Sequence, residues 1–227
     1  MSPMGPNLKE LFLALLDSEQ QTALEFLAFS KDEREKYIEL LDEFKKTNGS
    51  DASTTVKGKS LENIVKYVID KSTVFETYLN VHTSSNEVDI LARLNSKGYF
   101  FKQNGLLELP DSFISECKNY HSKVGVTYVG KFYSLMTYTD NDIGILFSYH
   151  GLTGMGWNDG IGLTKKFFLS DKNTKIIEFK LEDFEQLAKP GNSFIEIINN
   201  KIFNLKNDTS IHDFVKVHPA QDLIKKK

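Results

Sequence analysis

Three charged residues have the types and spacing for chemistry on a phosphodiester: Asp89, Glu116 and Lys118. Glu116 and Lys118 flank Cys117, the chain's single cysteine, behind an apolar lead-in of Phe113 and Ile114. Strand side chains alternate, so Glu116 and Lys118 share one face while Ser115 and Cys117 take the other. Asp89 stands in NEVDILARL, which alternates as well. Val88, Ile90, Ala92 and Leu94 fall on one face of it, and Asp89, Leu91 and Arg93 on the other. If the two strands pair, Asp89 and Glu116 converge at one end of a sheet. Two carboxylates a few ångströms apart repel each other unless a cation lies between them. A hard divalent ion such as Mg²⁺, with Mn²⁺ as a substitute, suits carboxylate oxygens and keeps several waters. A water held there and oriented by Lys118 is set to attack a phosphodiester. The bland alternative for these residues is a solvated ion pair at a strand edge, worth under ~1 kcal/mol.

The elements that must position these residues can be read from periodicity. Residues 8–46 read as three helices, with Ser18/Gln21 and Ser30/Glu33 as capping boxes and Ile38, Leu41 and Phe44 on one late apolar stripe. Residues 47–59, TNGSDASTTVKGK, read as a polar linker. Ser60 is expected to cap a helix through Leu61, Ile64, Val65, Val68 and Ile69. Strands are expected at 73–81, 86–94, around Glu116, at 143–149 and at 175–179, and helices at 126–138, 164–169 and over LEDFEQLA. The order predicts an α/β domain built on one mixed central sheet flanked by helices, preceded by an all-α segment. The divisions are residues 1–50 for packing or oligomerisation, 51–59 as linker, and 60–227 as the α/β domain.

Composition bounds the rest. The 227 residues are 40% hydrophobic and 26% charged, with a net charge of −3, an ordinary globular balance with no bulk basic field to advertise nucleic acid. Six Lys/Arg stand against ten Asp/Glu in residues 7–46, a poor surface for phosphates, which favours an assembly role there over DNA reading. One cysteine excludes an intrachain disulfide and suggests a reducing, cytoplasmic location. The early apolar run at residues 11–16 is too short to span a membrane and is followed by Asp17, Ser18 and Glu19, so neither a membrane nor a signal peptide is expected.

Asp89, then Glu116-Cys117-Lys118, then a helix and an apolar strand resemble the PD-(D/E)xK nuclease superfamily. ECKNY, VGVTYVGKFYSLM, IGILFSYHGLTG and KIIEFKLEDFEQL are most similar to its Mrr-like restriction endonuclease branch, over about residues 58–190. That branch usually has Gln where Glu116 stands; Glu-x-Lys is the commoner superfamily form. The resemblance implies a restriction-endonuclease-like fold and Mg²⁺-dependent hydrolysis of DNA, in restriction or defence against foreign DNA. It implies Asp89, Glu116 and the backbone carbonyl of Cys117 as metal ligands, Lys118 as the residue assisting the water, and Glu62, on the helix before the sheet, as an accessory carboxylate. Residues 60–227 are then the nuclease domain. The alternative is a catalytically silent nucleic-acid-binding or assembly module that keeps the fold.

Lys123, Lys131, Lys165 and Lys166 are candidate contacts to DNA phosphates, with solvated lysines as the plainer reading. A homo-oligomer, a dimer through the N-terminal helices or the nuclease domain, is expected. His82, His121, His150, His212 and His218 show no metal-ligand spacing. GLTGMGWNDGIGLTKK lacks the Gly-Lys-Ser/Thr ending of a phosphate loop and reads as a turn near the site. Trp157, Tyr149 and Phe101 could stack on bases, with core packing as the default.

Overall fold

A computed structural model describes residues 27–82, 87–105, 107, 109–154, 156 and 158–207. The Ser18 capping box, the first two expected helices, Trp157, His212 and His218 lie outside the described residues. Helix α1, Lys31–Asn48, opens on the expected capping box: the Ser30 N–H donates to Glu33 Oε2 at 3.0 Å and the Glu33 N–H to Ser30 Oγ at 3.4 Å. Asp32 and Glu33 in its first turn and Lys45 and Lys46 in its last suit the helix dipole.

Helix α2, Thr54–Lys71, starts six residues before the expected Ser60. Ser53 is the cap and accepts from the Val56 N–H at 3.4 Å. The Ser60 hydroxyl instead donates back to the Lys57 carbonyl at 2.9 Å, inside the helix. Part of the stretch read as a linker is therefore a helical turn. Its thin apolar content hid it, because a polar residue, Lys57, takes the inward position and is only 2% exposed.

Among the described residues five strands follow: β1 Phe75–His82, β2 Glu87–Leu94, β3 Ser112–Cys117, β4 Ile143–Phe147 and β5 Lys175–Phe179. Their spatial order is sequential, antiparallel from β1 to β3 and parallel from β3 to β5. The parallel pairs need crossovers. Helix α4, Val126–Tyr138, supplies one and α5, Gly160–Ser170, the other. Helix α3, Ser96–Gln103, lies between β2 and β3; α6, Leu181–Leu187, and α7, Phe194–Asn207, follow β5. Helices α3 and α7 were not legible as such, although α7 carries an inward face of Ile195, Ile198 and Ile202. The protein is α/β, with helices covering both faces of one mixed sheet.

Two cores result. One face of the sheet packs against α1, α2, α6 and α7, with Tyr37, Phe44, Leu61, Ile64, Phe113, Phe179 and Phe184 all buried. The other packs against α4 and α5 through Ile114, Val129, Phe132, Met136 and Leu146. Helix α1 belongs to the first core rather than standing apart: the Tyr37 hydroxyl donates to the Phe184 carbonyl at 2.7 Å, and the Phe44 and Phe184 rings meet edge-on at 5.5 Å. Strand β4 is buried at all five positions, as its unbroken apolar run predicts. Its Gly144 lets α4 lie close; a Cβ there would come within 2.5 Å of Met136 Sδ and Phe132 Cε1. Among the described residues no helix is long and apolar enough to cross a membrane.

Candidate active site

The register brings the predicted residues together. Strand β2 pairs with β3 from Arg93–Ser112 to Ile90–Ser115, where the backbone ladder stops. One step further the side chain of Asp89 takes over: the Cys117 N–H donates to Asp89 Oδ2 at 2.8 Å. That amide is the peptide link between Glu116 and Cys117, so the Asp89 carboxylate lies against the backbone that carries Glu116. On its other side β3 continues along β4, with the Lys118 N–H donating to the Phe147 carbonyl at 2.9 Å. Lys118 therefore projects from the last ordered step of the parallel pair.

Simple alternation does not hold through Asp89. Val88 was expected on the face of Ile90, Ala92 and Leu94; it packs in the opposite core with Ile114 and Val129. The cross-strand pairs between β1 and β2 run from Phe75–Leu94 to Leu79–Ile90 and resume at Val81–Val88. Between them Asn80 adopts a left-handed φ of 50°, a local twist that turns the end of the ribbon over. Asp89 sits at that twist. It lines a small hollow of about 50 Å³ on the α2 side, together with Glu62. Glu116 lines a larger cavity of about 270 Å³ on the α4 side.

Lys118 Nζ forms a short ion pair with Glu116 Oε1, both side chains largely buried. The second oxygen, Glu116 Oε2, is buried with no hydrogen-bond partner. Burial raises the pKa of Glu116, and the Asp89 charge adds to it, against the opposing pull of Lys118. Burial likewise raises Asp89, with Glu62 and Glu87 pushing the same way and the Cys117 amide and Lys118 opposing. For Lys118 burial favours the neutral form, but the Glu116 carboxylate outweighs it and the ammonium is held above its ordinary range. The site is short of positive charge. Asp89 and Glu116 are held partly desolvated beside the Lys118 ammonium.

No family model matches the chain, and no curated protein does either. Among the described residues no group of three or more His, Cys, Asp or Glu side chains is gathered closely enough to hold a metal ion by itself. The carboxylates on hand are Asp89 and Glu116, which open onto different hollows, with one Glu116 oxygen unpartnered; carboxylate oxygens are the donors a hard cation with a partial water shell takes.

The other expected residues divide. Glu62 is near enough to act on Asp89, and its Oε2 lies 3.2 Å from Lys59 Nζ in an exposed pair. Lys131 lines the cavity of Glu116 and Lys118, whereas Lys165 lines a separate cavity with Glu178 and Lys201. Lys166 shares α5 with Lys165, and Lys123 is exposed in the loop before α4. Cys117 packs against the first core, and burial pushes its thiol pKa well up, which disfavours a nucleophilic thiolate. His82 and His150 are exposed and neither lines the Glu116 cavity. Tyr149 packs on Phe44 at 5.2 Å, and Phe101 packs against the first core.

Sequence reasoning missed three residues of the cavity: Glu87, Tyr120 and Tyr128. The signals were present. Tyr120 continues the every-second-residue series Glu116, Lys118. Tyr128, Lys131, Phe132 and Leu135 keep the i, i+3, i+4, i+7 spacing of a single helix face.

Proposed function

We propose that the chain is a cytoplasmic, divalent-cation-dependent endonuclease of the PD-(D/E)xK type that hydrolyses DNA phosphodiester bonds. The observation that carries this reading is Glu116: a half-buried carboxylate with one oxygen on Lys118, the other buried and unpartnered, and Asp89 on the adjoining peptide. A buried acceptor left open costs about 1–3 kcal/mol, a cost that a bound cation at that oxygen would offset. The helix carrying Glu62 before the sheet, and the helix and apolar strand after Lys118, also stand in the order that the resemblance implies. A role in restriction or defence rests on that resemblance alone.

Asp89 and Glu116, with the Cys117 carbonyl beside them, would hold Mg²⁺ or Mn²⁺, which when bound neutralises charge on the phosphate oxygens. The chain's own residues do the rest. Asp89 is fixed by the Cys117 amide on the peptide that carries Glu116, and its carboxylate would complete the ion's ligands from the α2 side. Lys118 exchanges its contact with Glu116 for the attacking water and the scissile phosphate, and stabilises the charge that grows there. Lys131, on the far wall of the cavity, reaches a neighbouring phosphate.

A silent binding module is the second reading, favoured by one observation: Lys118 pairs directly with one Glu116 oxygen. Calorimetric titration with Mn²⁺ separates the two. The nuclease binds the ion and loses that binding in Glu116→Gln; a chain that takes up no ion at this site is the module.

A further inference from the structure

We propose that the cavity beside Glu116 and Lys118 receives one unstacked nucleobase of the substrate, so that the enzyme acts on single-stranded, frayed or flapped nucleic acid in preference to intact duplex. This rests on the nuclease reading and names its substrate class. The cavity has a floor of chemistry and a wall of rings. Glu116 and Lys118 stand at one side; Tyr120 and Tyr128 form a tilted pair at another, centroids 5.1 Å apart. Lys131 Nζ lies 5.8 Å from the centre of the Tyr128 ring. Tyr128 is 37% exposed although it is a large aromatic side chain.

Size and polarity narrow the occupant. About 270 Å³ equals roughly nine waters at ~30 Å³ each, and lies below the ~300–1,000 Å³ of pockets for drug-sized ligands. A single flat ring system with its sugar edge is the matching size; a base pair is not. An apolar ligand would strand the ammonium groups and the open Glu116 oxygen. A nucleotide meets each feature, with its ring on Tyr128, its phosphate toward Lys131 and Lys118, and the next phosphodiester beside Glu116. Aromatic side chains beside a cationic track are how proteins hold single strands, because every base offers a π-face. A base in a duplex could reach this wall only after unpairing and unstacking, at a cost of a few kcal/mol, which a single strand does not incur.

The test is binding of three DNA probes of equal length in EDTA: a single strand, its duplex, and a strand with every base replaced by an abasic site. The single strand should bind about 5- to 150-fold more tightly than the abasic strand, the span that stacking one base on an aromatic ring gives. It should also bind more tightly than the duplex. Tyr128→Ala should bring the ratio of intact to abasic strand close to one, and Tyr128→Phe should keep it. Equal affinity for intact and abasic strands, or an unchanged ratio in Tyr128→Ala, overturns the proposal. Cleavage in Mg²⁺, assayed separately, keeps the two ideas apart. Base-dependent binding without any cleavage upholds the pocket and defeats the nuclease; cleavage with base-independent binding does the reverse.

Discussion

Glu116 faces opposed demands. Burial and the Asp89 charge favour its protonated form, while Lys118 favours the carboxylate, and the net effect is a pKa above the ordinary glutamate range. A carboxyl whose folded-state pKa is raised contributes stability below its unfolded pKa, and that contribution is lost as pH rises through the folded value. At neutral pH the ion-free protein therefore carries a penalty at this position. Glu116→Gln should melt at a higher temperature than the wild type at pH 7, and the difference should fade as pH falls below the ordinary glutamate range. Mn²⁺ should raise the melting temperature of the wild type and not that of the variant. Asp89 has two roles that substitutions can separate. Asp89→Asn keeps an acceptor for the Cys117 N–H and removes the charge, so fold survives and cleavage is lost. Asp89→Ala also orphans that N–H and should cost a further ~1–3 kcal/mol in urea unfolding. That Glu116 and Lys118 stand together was legible from residue type and strand alternation. That Asp89 also replaces the backbone ladder was not, because it depends on where β2 leaves β3.

At the scale of elements, strand β4 sets the distance between the sheet and α4, and α4 carries Tyr128 and Lys131. Gly144 is the contact point, with no room for a Cβ against Met136 and Phe132. Gly144→Ala should destabilise by about 1–3 kcal/mol through overpacking, read by chemical denaturation. It should also push α4 outward and weaken single-strand binding more than it weakens Mn²⁺ binding, since the carboxylates belong to β2 and β3. Elements with strong periodicity were legible to the residue: Val126–Tyr138 and Lys175–Phe179 have the bounds their patterns predict. The start of α2 was not, because its inward face there is Lys57 and Ser60 rather than aliphatic. Helix α3 hid behind Gly98, which tolerates no Cβ beside the Val74 carbonyl and Leu94. The flip of Val88 could not be read either, because the left-handed residue that causes it, Asn80, lies on the neighbouring strand.

For the whole molecule, the position of α1 changes how residues 31–48 are understood. An appendage for oligomerisation would leave the α/β core intact when altered. Here Tyr37, Leu41 and Phe44 are buried in that core, so Phe44→Ala should cost about 3–5 kcal/mol of unfolding free energy, the range for deleting a core aromatic ring. A loss under ~1 kcal/mol would return α1 to the status of an appendage. The acidic balance of residues 7–46 could be read in the sequence, but the partners of α1 on α6 could not, since they lie more than a hundred residues away. The central claim remains that the end of this sheet hydrolyses phosphodiesters, and one measurement bears on it most directly: single-turnover cleavage of labelled single-stranded and plasmid DNA, with Mg²⁺ and with EDTA, by the wild type and by Lys118→Ala. The wild type should cut only with the ion. Lys118→Ala should be slower by roughly 10²–10³-fold, the effect of deleting one electrostatic donor, while calorimetry shows its Mn²⁺ binding retained. Undiminished cleavage by folded Lys118→Ala, or a wild type that cuts neither substrate in Mg²⁺ or Mn²⁺, would contradict the account.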